Sequence, residues 1–458
     1  MDFNEANFIV KYSHRINELA KIASVNDTID SSFYLKYDVN RGLRDKNGKG
    51  VLCGLTDISE VTSWQVIDGV RTPIPGILRY RGYNVKDLVR NCMEENRFGF
   101  EETVYLLLFG ELPNGDQLSA FTEMLSDCRV LPRNFVRDVI MKSPSKDMMN
   151  MLARCVLNLY SYDPDPESTT PTNILRQSVQ LISQFPLLAA YSYRAYRYES
   201  SDNASLIIHK SIPEYSLAQN TLHILRKNNK FTDLEAKVLD ICLILHAEHG
   251  GGNASTFTTH LATSTGTDTY SSVAASLGSL KGPKHGGANI KVMQMFDNIK
   301  ENVRVWDESH IRDYINQMLN KKAFDRSGLV YGMGHAVYTV SDPRAEVLKV
   351  YAGKLAIEKG REKEFELYNT VASVASELIQ DQKHLDKPVN PNVDFYSGFV
   401  YSMLNLPIAL YTPLFAIARI AGWSAHRMEE AISGGKIIRP AYECVAAPRD
   451  YVRLADRP

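Results

Sequence analysis

Paired cysteines are what the 458-residue sequence most plainly lacks. Cys53, Cys92, Cys128, Cys155, Cys242 and Cys444 are scattered with no CxxC among them, which disfavours a disulfide framework or zinc knuckle and suits reduced thiols in a cytoplasmic enzyme. An excess of one charge is missing too: 52 Lys plus Arg stand against 53 Asp plus Glu, a formal net charge of -1. No global field draws nucleic acid or an anionic membrane to the chain, so an anionic ligand must be caught by local Arg or Lys. The opening MDFNEANFIVKYSHRINELAK has neither the apolar core of a signal peptide nor the acid-poor, Arg-rich bias of a transit peptide, and export is not expected. Phe395 to Ala418 carries no charge and is long enough to cross a bilayer, but Gly398, Asn405, Pro407 and Pro413 interrupt it. It reads as a buried turn between two internal helices.

What is present is material for a deep core, 44% hydrophobic against 23% charged, in a mainly helical pattern. Thr232 and Glu235 form a capping box, and Val238, Ile241, Cys242 and Leu245 make one stripe, so a helix is expected up to Gly250-Gly251-Gly252. Asp342 as N-cap and Pro343 at the first helical position open a second helix, burying Val347, Leu348, Tyr351, Ala352 and Leu355. A third carries Tyr368, Val371, Ala372, Ala375 and Leu378. Others are expected at Glu101 to Phe109, Gln117 to Asp127, His310 to Asn320, Leu406 to Ile420 and Ser424 to Ser433. Strand signals are few: Gly76 to Tyr83 and a neighbour around Val66 to Val70 read as a small hairpin. No fixed-period repeat or low-complexity linker divides the chain, and Asp163 to Pro171 (DPDPESTTP) reads as a surface loop.

Four islands combine histidine, carboxylate or arginine with glycine, which lets backbone approach a ligand closely: HAEHGGGN (246–253), GPKHGGAN (282–289), GMGHAVYTVSDPR (332–344) and NVDFYSG (392–398). His249 falls three turns beyond Val238 and so faces inward. It is either a structural histidine at a helix end or, with His246 and Glu248, part of a metal site, though no HExxH order is present. His285 presents its ring from a Gly-Gly turn or belongs to an ordinary polar turn. The glycines at 332 and 334 expose N–H groups beside His335, which suits an anion or carbonyl or else marks a turn entering a buried segment. Phe395 and Tyr396 flank Asp394, so desolvation would raise its pKa and strengthen it as a base; an N-capping Asp is the alternative. Arg344, Arg419 and Arg439 are surface charges or anion binders, and Arg419, inside an apolar run, needs an anionic partner.

Taken in order, these islands resemble the citrate synthase family over most of the chain. Ile77-Leu-Arg-Tyr-Arg-Gly-Tyr83 is similar to the family's early hairpin, and RIAGW around Arg419 and IIRP around Arg439 complete the series. The resemblance implies a mainly α, two-domain helical fold with a small β-hairpin. Residues 1–286, completed by 408–458, would form a large domain, and 287–407 a small mobile one. It also implies an acyltransferase that condenses acetyl-CoA with oxaloacetate and hydrolyses citryl-CoA to citrate. In it Asp394 would remove the methyl proton, His285 would stabilise the enolate oxygen and His335 would polarise the oxaloacetate carbonyl. His249, His335, Arg344 and Arg419 would bind oxaloacetate, and Arg439 would reach in across a homodimer interface, with assembly of dimers into a hexamer left open. CoA would lie on Val330, Gly332, Gly334, Lys387 and Asn392. No metal or cofactor is implied, acetyl-CoA being a co-substrate.

Two positions depart from the pattern: Tyr331, where the family often has proline, and Gly250, where many members have an acidic residue. They bear on the CoA contacts and on domain closure. Three alternatives stand beside this reading. A 2-methylcitrate synthase using propionyl-CoA would need the same catalytic groups, one methylene being worth only about 1–3 kcal/mol of discrimination. A metal-dependent hydrolase would rest on His246, Glu248 and His249. The last is a silent, ligand-binding paralogue.

Overall fold

Helices dominate the computed structural model, which describes residues 5–45, 48–201, 205–335, 337–384 and 389–457. These residues group into two compact units, Leu55–Ile438 and Met1–Gly54 together with Arg439–Pro458. The terminal unit holds the Glu5–Asn26 and Ser32–Lys36 helices, and its residues 11–45, 48–54 and 439–457 include no buried one.

The larger unit begins with an antiparallel sheet of β1 (Ser59–Ile67), β2 (Val70–Tyr80) and β3 (Tyr83–Asn84), in that order. Asp68 and Gly69, with φ of 51° and 77°, make the two-residue turn that Asp-Gly favours because its twist matches the strands. The expected hairpin is therefore present, but Val66 to Val70 spans its turn; the partner strand is Ser59–Ile67 and Val70 already belongs to β2. At the end of β2 the buried Tyr80 hydroxyl bonds the carbonyls of Ile244 and Glu248, at 2.9 and 3.1 Å.

That contact marks where the Asp233–His246 helix ends. Its Thr232–Glu235 capping box is as expected, yet the helix stops three residues short of His249. Tyr80 takes a last-turn carbonyl, and Gly250, at φ 85°, sends the chain away. The Pro343–Lys359 helix has Asp342 as N-cap and Pro343 in its first turn, and Gly360 closes it in the left-handed conformation. Leu406 to Ile420 and Ser424 to Ser433, read as two helices, are largely one, Tyr411–Ser433, preceded by the short 3-10 turn Ile408–Leu410. Gly422 does not break it: a Cβ there would collide with the Ala247 carbonyl and the Glu248 carboxylate, so glycine serves close packing.

The segment Ile408–Ser433 is long and apolar enough to cross a membrane, and 89% of its apolar window is buried inside the protein. It packs on the Pro171–Glu199, Ala254–Ser264, Asp233–His246 and Phe100–Phe109 helices as the centre of the core. The charge-free stretch before it contains the Val393–Met403 helix and the connecting turn, as the prolines indicated. The 29-residue Pro171–Glu199 helix was not legible, its pattern being interrupted by Pro186.

The loop after Asp163 is exposed at most positions, with Pro166 and Ser168 half-buried, and is pinned at its first residue. The Asp163 side chain, 1% exposed, accepts from Arg176 (2.7 and 2.9 Å), Gln177 (3.0 Å) and Tyr270 (2.6 Å). Although burial pushes its pKa up, these bonds outweigh it and hold it at about 2. The resulting stability is present above the ordinary carboxylate pKa and is lost as pH falls through about 2. Urea unfolding at pH 7 should find Asp163→Asn about 2 kcal/mol less stable than the parent; an unchanged midpoint would mean that the loop is not pinned there.

Candidate active site

Loops and helix starts of the larger unit, with the middle of the Tyr411–Ser433 helix, bring His249, His285, His335, Arg344, Asp394 and Arg419 together. His249 sits in the loop held by Tyr80, and the loop is fixed again by Glu248, which accepts from the Ser59 hydroxyl (3.0 Å) and pairs with His426 (3.1 Å). His249 Nε2 lies 3.2 Å from the Tyr338 hydroxyl, and its ring is 5.2 Å from that of His335. The His335 ring in turn stacks on Tyr338 at 4.7 Å.

Asp342 and Arg344 form the next layer. Asp342 caps its helix by accepting the Arg344 N–H at 3.0 Å, and the Arg344 guanidinium grips the same carboxylate through Nε (3.0 Å) and Nη2 (2.8 Å). Asp342 also accepts the Val393 N–H at 3.2 Å, which fixes the start of the helix bearing Asp394. The capping alternative for Asp394 is corrected here: Asn392 is the N-cap, and Asp394 lies inside the first turn. No hydrogen bond to the Asp394 carboxylate is present among the described residues. Burial raises its pKa to about 6 against the opposing pull of Arg344 and Arg419.

The three histidines are held neutral, His285 and His335 each in one tautomer. Burial first, then Arg344, lowers His335 to about 4, and burial with Arg419 does the same for His285. His249 is driven well below its ordinary value by burial, Arg344 and its neighbours. The N–H groups of Val337 and Tyr338 point at His335 Nδ1 (3.0 and 3.1 Å), so the ring proton belongs on Nε2. The Ser255 N–H, at 3.3 Å, points at His285 Nε2, with the Ser255 hydroxyl at 2.9 Å, which leaves the proton on Nδ1.

Arg419 donates from Nε to the His246 carbonyl (2.8 Å) and lies over the Phe415 ring at 4.7 Å. Its Nη2 is buried with no hydrogen-bond partner among the described residues, and burial lowers its pKa to about 10. Two guanidinium groups, neutral imidazole donors and one basic carboxylate suit a small anion with a polarisable carbonyl.

Other residues singled out in the sequence lie elsewhere. Arg439 is exposed in the terminal unit, and Lys387 lies outside the described residues. Val330, Gly332 and Gly334 adjoin Asn392: the Gly332 carbonyl accepts the Asn392 N–H, the Gly334 carbonyl accepts Asn392 Nδ2, both at 2.8 Å, and the Gly334 N–H bonds the Asn390 carbonyl. The hydrolase trio points three ways. His246 packs on Phe415 with a ring separation of 4.5 Å, Glu248 faces His426 and His249 faces Tyr338, so they form no shared metal pocket. Sequence reasoning missed Tyr338, Ser255 and Asp342 as site residues. Asp342 was legible only as a cap, and Tyr338 and Ser255 lay inside motifs whose histidines drew the attention.

The family described as "Citrate synthase, C-terminal domain" matches residues 46–441. A protein of Shewanella oneidensis named 2-methylcitrate synthase is 35% identical, over 83% of this chain and 92% of its own. One of Synechocystis named citrate synthase is 34% identical, over 83% and 88%. Among solved structures, a ternary complex of carboxymethyl coenzyme A and oxaloacetate with the citrate synthase of Thermoplasma acidophilum aligns with a TM-score of 0.75 and 27% identity, over 91% of this chain and 99% of that one.

Nitrogen-resolved NMR of the imidazoles tests the geometry directly. At pH 7 His285 should appear as the Nδ1–H and His335 as the Nε2–H tautomer, both neutral until pH falls to about 4. Ser255→Ala removes the hydroxyl but keeps the N–H aimed at His285 Nε2, so both rings should keep their tautomers in that variant. An imidazolium signal from either ring at pH 6 would contradict the assignment.

Proposed function

We propose, from the premise that the chain belongs to the citrate synthase family and is an acyltransferase, that it condenses acetyl-CoA with oxaloacetate and hydrolyses the citryl-CoA so formed. The observation that carries this reading is Asp394: a carboxylate raised to about 6, beside two arginines and two neutral, tautomer-fixed imidazoles. The thioester and oxaloacetate pairing is supported by the ligands of the Thermoplasma complex.

A carboxylate with that pKa is ionised at neutral pH yet more basic than a surface one. Asp394 takes a proton from the thioester methyl group, and the C–H electron pair moves to form an enolate. His285 donates Nδ1–H to the enolate oxygen. His335 donates Nε2–H to the oxaloacetate ketone, whose carbon accepts the new C–C bond while the C=O π pair becomes an alkoxide that takes this proton; the ring regains one from water, and Asp394 returns the methyl proton to water. Donors aimed at both developing oxyanions in a desolvated site supply most of the stabilisation. Water then cleaves the thioester C–S bond, giving citrate and the CoA thiol.

Arg344 and Arg419 receive the two carboxylates, Arg344 through the edge of its guanidinium that Asp342 does not hold and Arg419 with the nitrogen that has no protein partner, and His249 adds a hydrogen bond. Arg439 of a second copy completes the pocket, which makes a homodimer the active unit. Residues 287–407 close as a cap that excludes water until the carbon–carbon bond exists. CoA lies along the paired turns containing Val330, Gly332, Gly334 and Asn392, with Lys387 answering a phosphate. Propionyl-CoA is the second reading, favoured by the name of the Shewanella relative. Thiol release from the two thioesters, with and without oxaloacetate, decides between them.

Asp394→Asn should lower kcat by about a thousandfold with oxaloacetate binding kept. In the parent, kcat/KM should fall as pH drops through about 6, one proton inactivating the base. Because the folded pKa is raised, Asp394 costs stability as pH rises through that value, so the Asn variant should melt no lower than the parent at pH 7. A variant with near-normal turnover would refute the base assignment. Mixing inactive Arg439→Ala and Asp394→Asn chains should restore part of the activity through hybrid dimers; no recovery would argue against a shared site.

A further inference from the structure

The sheet that opens the larger unit is interrupted where it passes the site. Its ladder pairs Thr62 with Ile77 and Trp64 with Pro73, so Ser63 stands alone against Ile74, Pro75 and Gly76. The sequence Thr72-Pro-Ile-Pro-Gly76 accounts for this. Pro73 and Pro75 have no N–H to give, and a strand that cannot pair bulges and re-aims what it carries. What the ladder gives up goes to the segment after His335. The Ser63 hydroxyl, on a residue 4% exposed, donates to the Val337 carbonyl at 2.7 Å, and the Gly76 N–H donates to the Ser341 carbonyl at 3.0 Å.

These two bonds bracket the segment that orients the His335 ring. Val337 is 41% exposed, so burial does not hold it; its backbone does, with the N–H aimed at His335 Nδ1 (3.0 Å) and the carbonyl taken by Ser63. The Tyr338 N–H reaches the same nitrogen at 3.1 Å, and the Tyr338 ring stacks on the imidazole at 4.7 Å. Gly76 lies against that tyrosine: a Cβ there would stand 2.5 Å from Tyr338 Cδ1, closer still to the Ser341 carbonyl oxygen and 2.9 Å from Pro343 Cδ. Gly76 is not among the glycines with positive φ, so it serves space rather than conformation. Tyr338 is itself buried, with its hydroxyl 3.2 Å from His249 Nε2, so a push on its ring reaches both imidazoles.

We propose that Ser63 and Gly76 are positioning residues for the condensation. Through the Val337–Ser341 segment the interrupted hairpin fixes the direction in which His335 Nε2–H points at the ketone oxygen, and through Tyr338 it fixes the reach of His249. Neither residue touches substrate. This role rests on the one given to His335 above and makes the aim of that donor a property of the hairpin. A donor aimed in advance stabilises a developing oxyanion without reorganising, and a misplacement of about 1 Å costs about a hundredfold in rate.

The test uses full-length protein carrying Gly76→Ala, Ser63→Ala, Ser63→Thr or, at an exposed position of the same hairpin, Gln65→Ala. The readouts are kcat, the carbon NMR shift of bound oxaloacetate labelled at its ketone carbon, and the imidazole nitrogen signals of the free protein. Gly76→Ala should lower kcat about a hundredfold and move the bound ketone signal back toward its value in water, with oxaloacetate still bound. Ser63→Ala should lower kcat about tenfold, Ser63→Thr, which keeps the hydroxyl, should restore it, and Gln65→Ala should match the parent. A loss of stability alone would leave the ketone signal of the folded fraction unmoved. Parental kcat and ketone shift in folded Gly76→Ala protein would overturn the proposal. If circular dichroism shows that Gly76→Ala does not fold, Ser63→Ala decides, and parental kcat in that variant overturns the proposal in the same way. Failure of the condensation reading looks different: a parent that releases no thiol from either thioester overturns that reading and the positioning role with it, whereas unmoved His335 nitrogen signals in Gly76→Ala overturn the role of the hairpin alone.

Discussion

The buried pairing of Asp342 with Arg344 is the constraint on which the site depends. Their side chains are 1% and 4% exposed, and charges taken out of water this far need every lone pair answered. Asp342 has four N–H donors: three from Arg344, backbone and side chain, and one from Val393. It thereby caps one helix, holds the guanidinium in one plane and ties the first turn of the Asp394 helix to the same point. Losing one partner of such a pair costs about 3–5 kcal/mol, because the other charge is stranded. The position of the Asp394 carboxylate is thus inherited from the ion pair beside it.

The same arginines set the protonation of everything around them. Burial alone would push Asp394 higher and the histidines lower; Arg344 and Arg419 restrain the first and reinforce the second. The result is a pocket that is cationic without any charged imidazole. A neutral imidazole donating a fixed N–H can stabilise an oxyanion without giving its proton up early, and a carboxylate near 6 can take a proton at neutral pH. Anion binding and acid–base poise arise from one charge distribution.

Much of this was legible in the sequence, for identifiable reasons. The Thr232 and Asp342 caps, the presence of a hairpin ending near Tyr83 and the glycine-rich histidine islands are local signals that tertiary context did not override, although the Asp68-Gly69 turn was read as strand. What escaped depended on distant contacts. The Asp233–His246 helix ends early because Tyr80, far back in the chain, takes its terminal carbonyl. Gly422 resembles a helix break but lies mid-helix because the Ala247 carbonyl and Glu248 leave no room for a side chain. The tautomers of His285 and His335 follow from backbone N–H directions, to which sequence spacing is blind. Gly250 departs from the family pattern with a structural reason: its φ of 85° and the closeness of Val61 both disfavour a side chain.

Two arginines two turns apart on the Tyr411–Ser433 helix show how a binding residue differs from a structural one. Arg419 and Arg427 are each 1% exposed, and burial lowers both to about 10. Arg427 spends Nε, Nη1 and Nη2 on Thr269, Thr263 and the Thr267 carbonyl, at 3.1, 3.1 and 2.8 Å. Arg419 has one good bond, a long one to Asn253 at 3.4 Å, and a buried nitrogen with none. A desolvated cationic donor left unpaired costs more than a hydrogen bond is worth, so folding alone gives no reason to retain it. An anion that took that bond would recover the cost as binding energy, an opening that Arg427, with all its nitrogens spent, does not offer.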